Sequence, residues 1–119
     1  MIRMVEEDEL KIIIEMKLKM FKEAGVDSHL SDNAYDNIFK IYNELYQQDK
    51  MRHFCVKKKG EIVACAGAFI KSDFPFCFFA PPYYGFIGDV YTCMQYRQQG
   101  YATKLTNRVI EWLKRKEIR

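Results

Sequence analysis

The run Gly88-Asp89-Val90-Tyr91-Thr92-Cys93-Met94-Gln95-Tyr96-Arg97-Gln98-Gln99-Gly100-Tyr101-Ala102-Thr103-Lys104-Leu105 passes from an apolar strand through a polar loop into a helix. Its last part, Arg97-x-x-Gly100-x-Ala102, opens that helix. The first backbone N–H groups of a helix have no partner within it, and the positive end of the dipole lies behind them, so such a start attracts anions. Gly100 puts no Cβ between the backbone and a phosphate, and Ala102 is expected to keep the first helical turn close to the strand. Arg97 adds a positive charge, either against phosphate or as a brace within the loop. The stretch reads as a strand–loop–helix built to hold a pyrophosphate.

Downstream, the helix spans about Gly100 to Lys116, with Ala102, Leu105, Val109, Trp112 and Leu113 as its buried stripe. The basic residues that thicken there, Lys104, Arg108, Lys114, Arg115, Lys116 and Arg119, read as a solvated face and as favourable charge at a helix C-terminus. Upstream, the strand begins near Tyr84. The stretch Lys71 to Pro82 reads as a loop, because Pro81-Pro82 bars regular helix and central strand alike. Two strands, from His53 to Val56 and from Glu61 to Ile70, flank Lys57-Lys58-Lys59-Gly60 as a hairpin. Two helices precede them. The first carries Leu10, Ile13, Ile14, Leu18 and Phe21 at helical spacing and ends at Ala24-Gly25; the second, capped by Ser31 or Asp32, carries Tyr35, Ile38, Tyr42, Leu45 and Tyr46 on one face. A short strand from Ile2 to Val5 leads in, followed by acidic residues suited to a helix start. The order β-α-α-β-β-β-α predicts a layered α/β fold (α+β layers) rather than a doubly wound sheet, in one domain spanning residues 1–119.

Bulk properties narrow the function classes. No segment approaches the roughly 20 apolar residues of a membrane span, and the N-terminus shows no basic region followed by an apolar stretch and a cleavage site, so the expectation is a soluble, cytoplasmic protein. The formal charge of +3 is too mild to point to nucleic acid and suits a small anionic ligand. Cys55, Cys65, Cys77 and Cys93 form no CxxC pair and sit in apolar or aromatic stretches, so they are expected to be reduced, mostly buried thiols, with no metal site among them.

The strand followed by Arg97-x-x-Gly100-x-Ala102 resembles the coenzyme A signature of the GNAT superfamily of N-acetyltransferases, in the branch that reads Asn-Val-Tyr-Thr, four residues, then Arg-x-x-Gly-Ile-Ala-Thr. The remaining elements occur in the family's order. The resemblance implies a mixed, mostly antiparallel sheet flanked by helices, and acetyl-CoA as co-substrate. It implies that the backbone of Val90, Tyr91 and Thr92 aligns the acetyl and pantetheine arm. Arg97, Gln98, Gln99, Gly100, Tyr101 and Ala102 would cup the pyrophosphate, with Thr103 or Lys104 reaching further phosphate oxygens. An amide near Val90 would polarise the thioester carbonyl. The implied reaction is direct attack on the thioester by a primary amine of a small molecule or peptide; the alternative is a CoA-binding or interaction module that keeps the fold without turnover.

For a general base the sequence offers Asp89, the ionisable residue within that strand, whose other reading is a hydrogen-bonded carboxylate at a strand bulge. In the similar branch this position is Asn. His53 reads as a surface or internally satisfied histidine. Tyr83 and Tyr84 could line an acceptor pocket or cover the sheet, and Tyr35, Tyr42 and Tyr46 read as core-edge residues. Cys93 is placed beside the cofactor region without a neighbouring histidine to activate it. Relative to the family pattern the sequence ends at Arg119, before a fifth strand, and lacks the usual C-terminal strands. A fragment or truncation is the favoured explanation; another chain covering the exposed edge, as in a homodimer, is the other.

Overall fold

Alternation along the central strands divides the molecule into two packed faces. The computed structural model describes residues 2–26, 28, 30, 32–72 and 83–116. Its elements are β1 (Ile2–Met4), a 3₁₀ turn (Glu7–Glu9), α1 (Leu10–Glu23), α2 (Ala34–Gln47), β2 (Met51–Lys58), β3 (Glu61–Ser72), β4 (Tyr83–Thr92), a second 3₁₀ turn (Met94–Tyr96) and α3 (Tyr101–Arg115). The strands form one sheet in the order β1-β2-β3-β4, and every pairing among them is antiparallel, in keeping with the mostly antiparallel sheet expected.

On one face, Met51 and Cys55 of β2 and Cys65 of β3 meet Leu10, Ile13 and Ile14 of α1 and Tyr42 and Tyr46 of α2. On the other, Phe54, Val56, Ala64, Ala66 and Ala68 receive Leu105, Val109, Trp112 and Leu113 of α3. The three alanines keep that surface low, which lets the helix lie close to the sheet. The predicted stripe of α3 is therefore buried except at its first member, Ala102, which is exposed while Tyr101 beside it packs against the core.

Local chemistry explains the boundaries. Gly25, at φ +78°, ends the turn after α1 as its position suggested. The residue that opens α2 is Asn33, with no side-chain cap, rather than Asp32; Ser31 lies outside the described residues. The β2–β3 hairpin closes through Lys59 and Gly60, both left-handed, between paired Lys58 and Glu61, the backbone of a two-residue type I′ turn. β3 runs through Lys71 and Ser72, two residues past the expected loop boundary, because their ladder with Tyr84 and Tyr83 continues. Residues 73–82, including Cys77 and Pro81-Pro82, lie outside the described residues.

A cleft at the strand–helix junction and a buried carboxylate beside it

The end of β4 and the start of α3 enclose a cleft of about 400 Å³ lined by Val90, Tyr91, Thr92, Tyr96, Arg97, Gln98, Gly100, Tyr101, Ala102 and Thr103. Nine of these ten are residues that the sequence singled out; Tyr96 was missed, and Gln99, although in the signature, is exposed and outside the lining. Gly100 is the residue before the helix, at φ +80°, and no side chain caps the helix start. The first intrahelical bond is donated by Lys104 N to Gly100 O at 3.2 Å, so the amides of residues 101–103 receive no helical carbonyl. An added Cβ at Gly100 would meet nothing within 4 Å, so the glycine is explained by its left-handed backbone rather than by crowding.

Arg97 settles into the brace rather than pointing free. Its Nε donates to Thr92 O at 2.7 Å and its Nη2 to Glu23 Oε1 at 2.7 Å. Tyr91 donates its hydroxyl to the other oxygen of Glu23. Glu23, on the last turn of α1, thus ties the loop and β4 to that helix, and the bond from Arg97, ahead of that from Tyr91, holds its carboxyl below the usual range. Burial first, and Glu23 second, push the Tyr91 phenol up to about 12.

Asp89 occupies a β-bulge. Cys65 pairs with Tyr91 and Gly67 with Gly88, so Asp89 and Val90 together face Ala66 without register partners of their own. Asp89 takes φ +53°, a left-handed conformation costing about 1 kcal/mol for most residues and less for Asp. Its side chain is only 2% exposed. Lys17 Nζ donates to Oδ1 at 2.6 Å, the Tyr42 hydroxyl to Oδ2 at 2.7 Å, and His53 Nε2 lies 2.9 Å from Oδ2. The Tyr46 hydroxyl accepts the His53 backbone N–H at 3.1 Å, and it lies 2.6 Å from Nδ1. Both hydroxyl contacts are satisfied when Tyr46 donates to Nδ1 and His53 carries its proton on Nε2, facing Asp89. Burial alone would raise the Asp89 carboxyl, but the bond from His53, then the charge and bond of Lys17, outweigh it and hold it at about 2. The Cys65 thiol donates to the Asp89 carbonyl at 3.3 Å, and burial pushes that thiol well above its usual range.

Two facing glycines make room for this cluster. A Cβ on Gly67 would sit 2.7 Å from His53 Nε2, and one on Gly88 would sit 2.9 Å from both Phe69 and Phe86 ring carbons. His53 is therefore a fully buried, internally satisfied histidine, not a surface one. Tyr42 and Tyr46 lie in the core rather than at its edge, while Tyr35 is partly buried. Cys93 does not open on the cleft: it continues the ladder through its amide to Val63 O at 2.8 Å, and lines a separate cavity of about 460 Å³ between α1 and the β2–β3 turn. Lys17 and Glu23 gave no sign in the sequence, since each joins the site across more than 60 residues, 72 for the Lys17–Asp89 pair.

No helix among the described residues is long and apolar enough to cross a membrane. A search among curated proteins found no match. Among solved structures, a predicted acetyltransferase with acetyl-CoA from Clostridium acetobutylicum superimposes with a TM-score of 0.81 at 18% identity, over 100% of this chain and 76% of its own. A GCN5-related N-acetyltransferase from Ralstonia eutropha gives 0.81 at 19% identity, over 99% and 78%. An aminoglycoside antibiotic 6'-N-acetyltransferase from Acinetobacter haemolyticus gives 0.70 at 18% identity, over 99% and 74%. These likenesses establish the fold. The model of the acetyltransferase (GNAT) family matches residues 16–119, most of the sequence, and the chain belongs to that family.

Proposed function

We propose that the cleft between β4 and α3 binds acetyl-CoA and that the acetyl group passes to a primary amine of a small molecule or peptide. The observation that supports this reading most is the uncapped start of α3 opening onto the same cleft as the backbone of Val90, Tyr91 and Thr92. Amides of residues 101–103 suit a pyrophosphate, and the strand backbone suits an extended amide-bearing arm. Acetyl-CoA supplies the activated thioester. Around it, the chain orients the reacting carbonyl along β4 and offers the amide near Val90 to the developing oxyanion. The amine attacks the thioester carbonyl directly in this reading, its proton leaving to water; the tetrahedral adduct then collapses with cleavage of the C–S bond, and the departing CoA thiolate takes a proton from solvent. The neighbour described as an aminoglycoside acetyltransferase supports a small-molecule amine as the class of acceptor.

Isothermal titration with acetyl-CoA tests the binding step. Wild-type protein is expected to bind, and Gly100→Asp to lose at least about 30-fold more affinity than Gly100→Asn, which shares the left-handed backbone strain but places no carboxylate against phosphate. Equal affinity in the two variants removes the placement of the pyrophosphate. A second reading, a CoA-binding module without turnover, draws on the burial of Asp89 beneath three donors, which keeps that carboxylate out of reach of an amine in the cleft. Thiol release from acetyl-CoA across a panel of amines separates the two.

A further inference from the structure

We propose that Asp89 is a positioning residue: its carboxylate, held by Lys17, Tyr42 and His53, fixes the left-handed turn of the β4 bulge and so aims the Val90 amide into the cleft. This rests on the acetyl-transfer reading for its catalytic consequence. The geometry comes from four elements. Lys17 belongs to α1, Tyr42 to α2, His53 to β2 and Asp89 to β4, so the three donors fix one carboxylate from three directions. The backbone of the same residue is held by a fourth side chain, Cys65, from a fifth element, β3, through the Asp89 carbonyl.

A general base needs a lone pair that reaches the acceptor's proton. Oδ2 already takes Tyr42 and His53, Oδ1 takes Lys17, and the carboxylate is 2% exposed. Val90, the next residue, is 37% exposed and lines the cleft. The bulge thus turns one residue inward, where it is anchored, and the next outward, where it works. A left-handed backbone on a residue with a Cβ persists where surrounding contacts over-determine it, and here they do. Without the anchor, Val90 would drift back toward regular pairing with Ala66, and its amide would lose its aim.

The experiment compares Asp89→Asn with Asp89→Ala in the full protein, by steady-state kinetics with acetyl-CoA and a responsive amine, and by amide hydrogen exchange at Val90. Asparagine can still accept from Tyr42 and His53 through its Oδ1, and it tolerates left-handed backbone. The expected result is a kcat about 3- to 10-fold below wild type for Asn and at least 100-fold below for Ala, with the acetyl-CoA KM changed less than 5-fold in both. Exchange at Val90 should slow at least 10-fold in Ala, as its amide returns to the ladder opposite Ala66, and stay within 3-fold of wild type in Asn. A kcat for Asn as low as for Ala, with Val90 exchange unchanged, would make the carboxylate itself the reacting group and overturn the proposal. So would wild-type kcat in Ala. Should Ala fail to fold, Tyr42→Phe removes one anchor at nearly constant volume and is expected to slow Val90 exchange with a matching fall in kcat; no change in either overturns the proposal. If wild type shows no turnover with any amine, the transfer reading fails, while Val90 exchange in the variants still decides the anchor.

Discussion

Three donors on one buried carboxylate make acid the natural perturbation at the residue scale. A carboxyl held at about 2 in the folded chain and near 3.9 when unfolded contributes stability that is fully present above the unfolded value and is lost as pH falls through the folded one. Burial of the side chain justifies a figure of roughly 2 kcal/mol for that loss, between about pH 4.5 and 2. Glu9, held at about 2 mainly by its bond from Arg3, titrates in the same window, so the measurement must isolate Asp89. Urea unfolding at pH 6 and pH 3 should show a fall in stability that is smaller by about 1 kcal/mol in Asp89→Asn than in wild type, because at pH 3 the folded carboxyl is still mostly ionised; equal falls would show that Asp89 does not carry the effect. Little of this was legible beforehand. Asp89 stood out as an acid inside a strand, and the bulge reading was open, but its partners are set by strand register and helix docking, not by spacing along the chain. The available signal was His53 heading the apolar run Phe54-Cys55-Val56, with Tyr42 and Tyr46 four residues apart on one helical face.

Elements carry the part that sequence makes most readable. The stripe from Leu105 to Leu113 and the glycine turn of the hairpin follow from periodicity and backbone freedom alone, and both stand where expected. The cleft was legible for the same reason: a strand end and a helix start are adjacent in the chain, so no long-range docking is needed to join them. What local reading could not supply was the direction of Arg97, since its partner Glu23 lies on α1. The hairpin offers a test of the local physics. Lys59 takes φ +53° in a turn whose first position favours Asn, so Lys59→Asn should raise stability by about 0.5–1 kcal/mol, read as a higher melting temperature. A lower melting temperature would mean that the lysine side chain contributes more than its backbone strain costs.

For the whole molecule, the sheet's two middle strands are paired on both sides and covered on both faces, whereas β4 has a partner only in β3 among the described strands. Amide exchange should therefore be slowest around Phe54–Val56 and Ala64–Ala68, and acetyl-CoA should slow residues 90–92 and 101–103 selectively. Protection instead around Glu61 and Ile62 would move the binding site to the cavity beside Cys93. The facing glycines carry a consequence for how this sequence can diverge. Enlarging Gly67 displaces the His53 ring, a displaced ring withdraws a donor from Asp89, and a slackened Asp89 frees the bulge. Strand β3 can thus accept a larger residue at this position only in descent lines where β2 and β4 change in the same step, so positions 53, 67 and 89 should be inherited as a block.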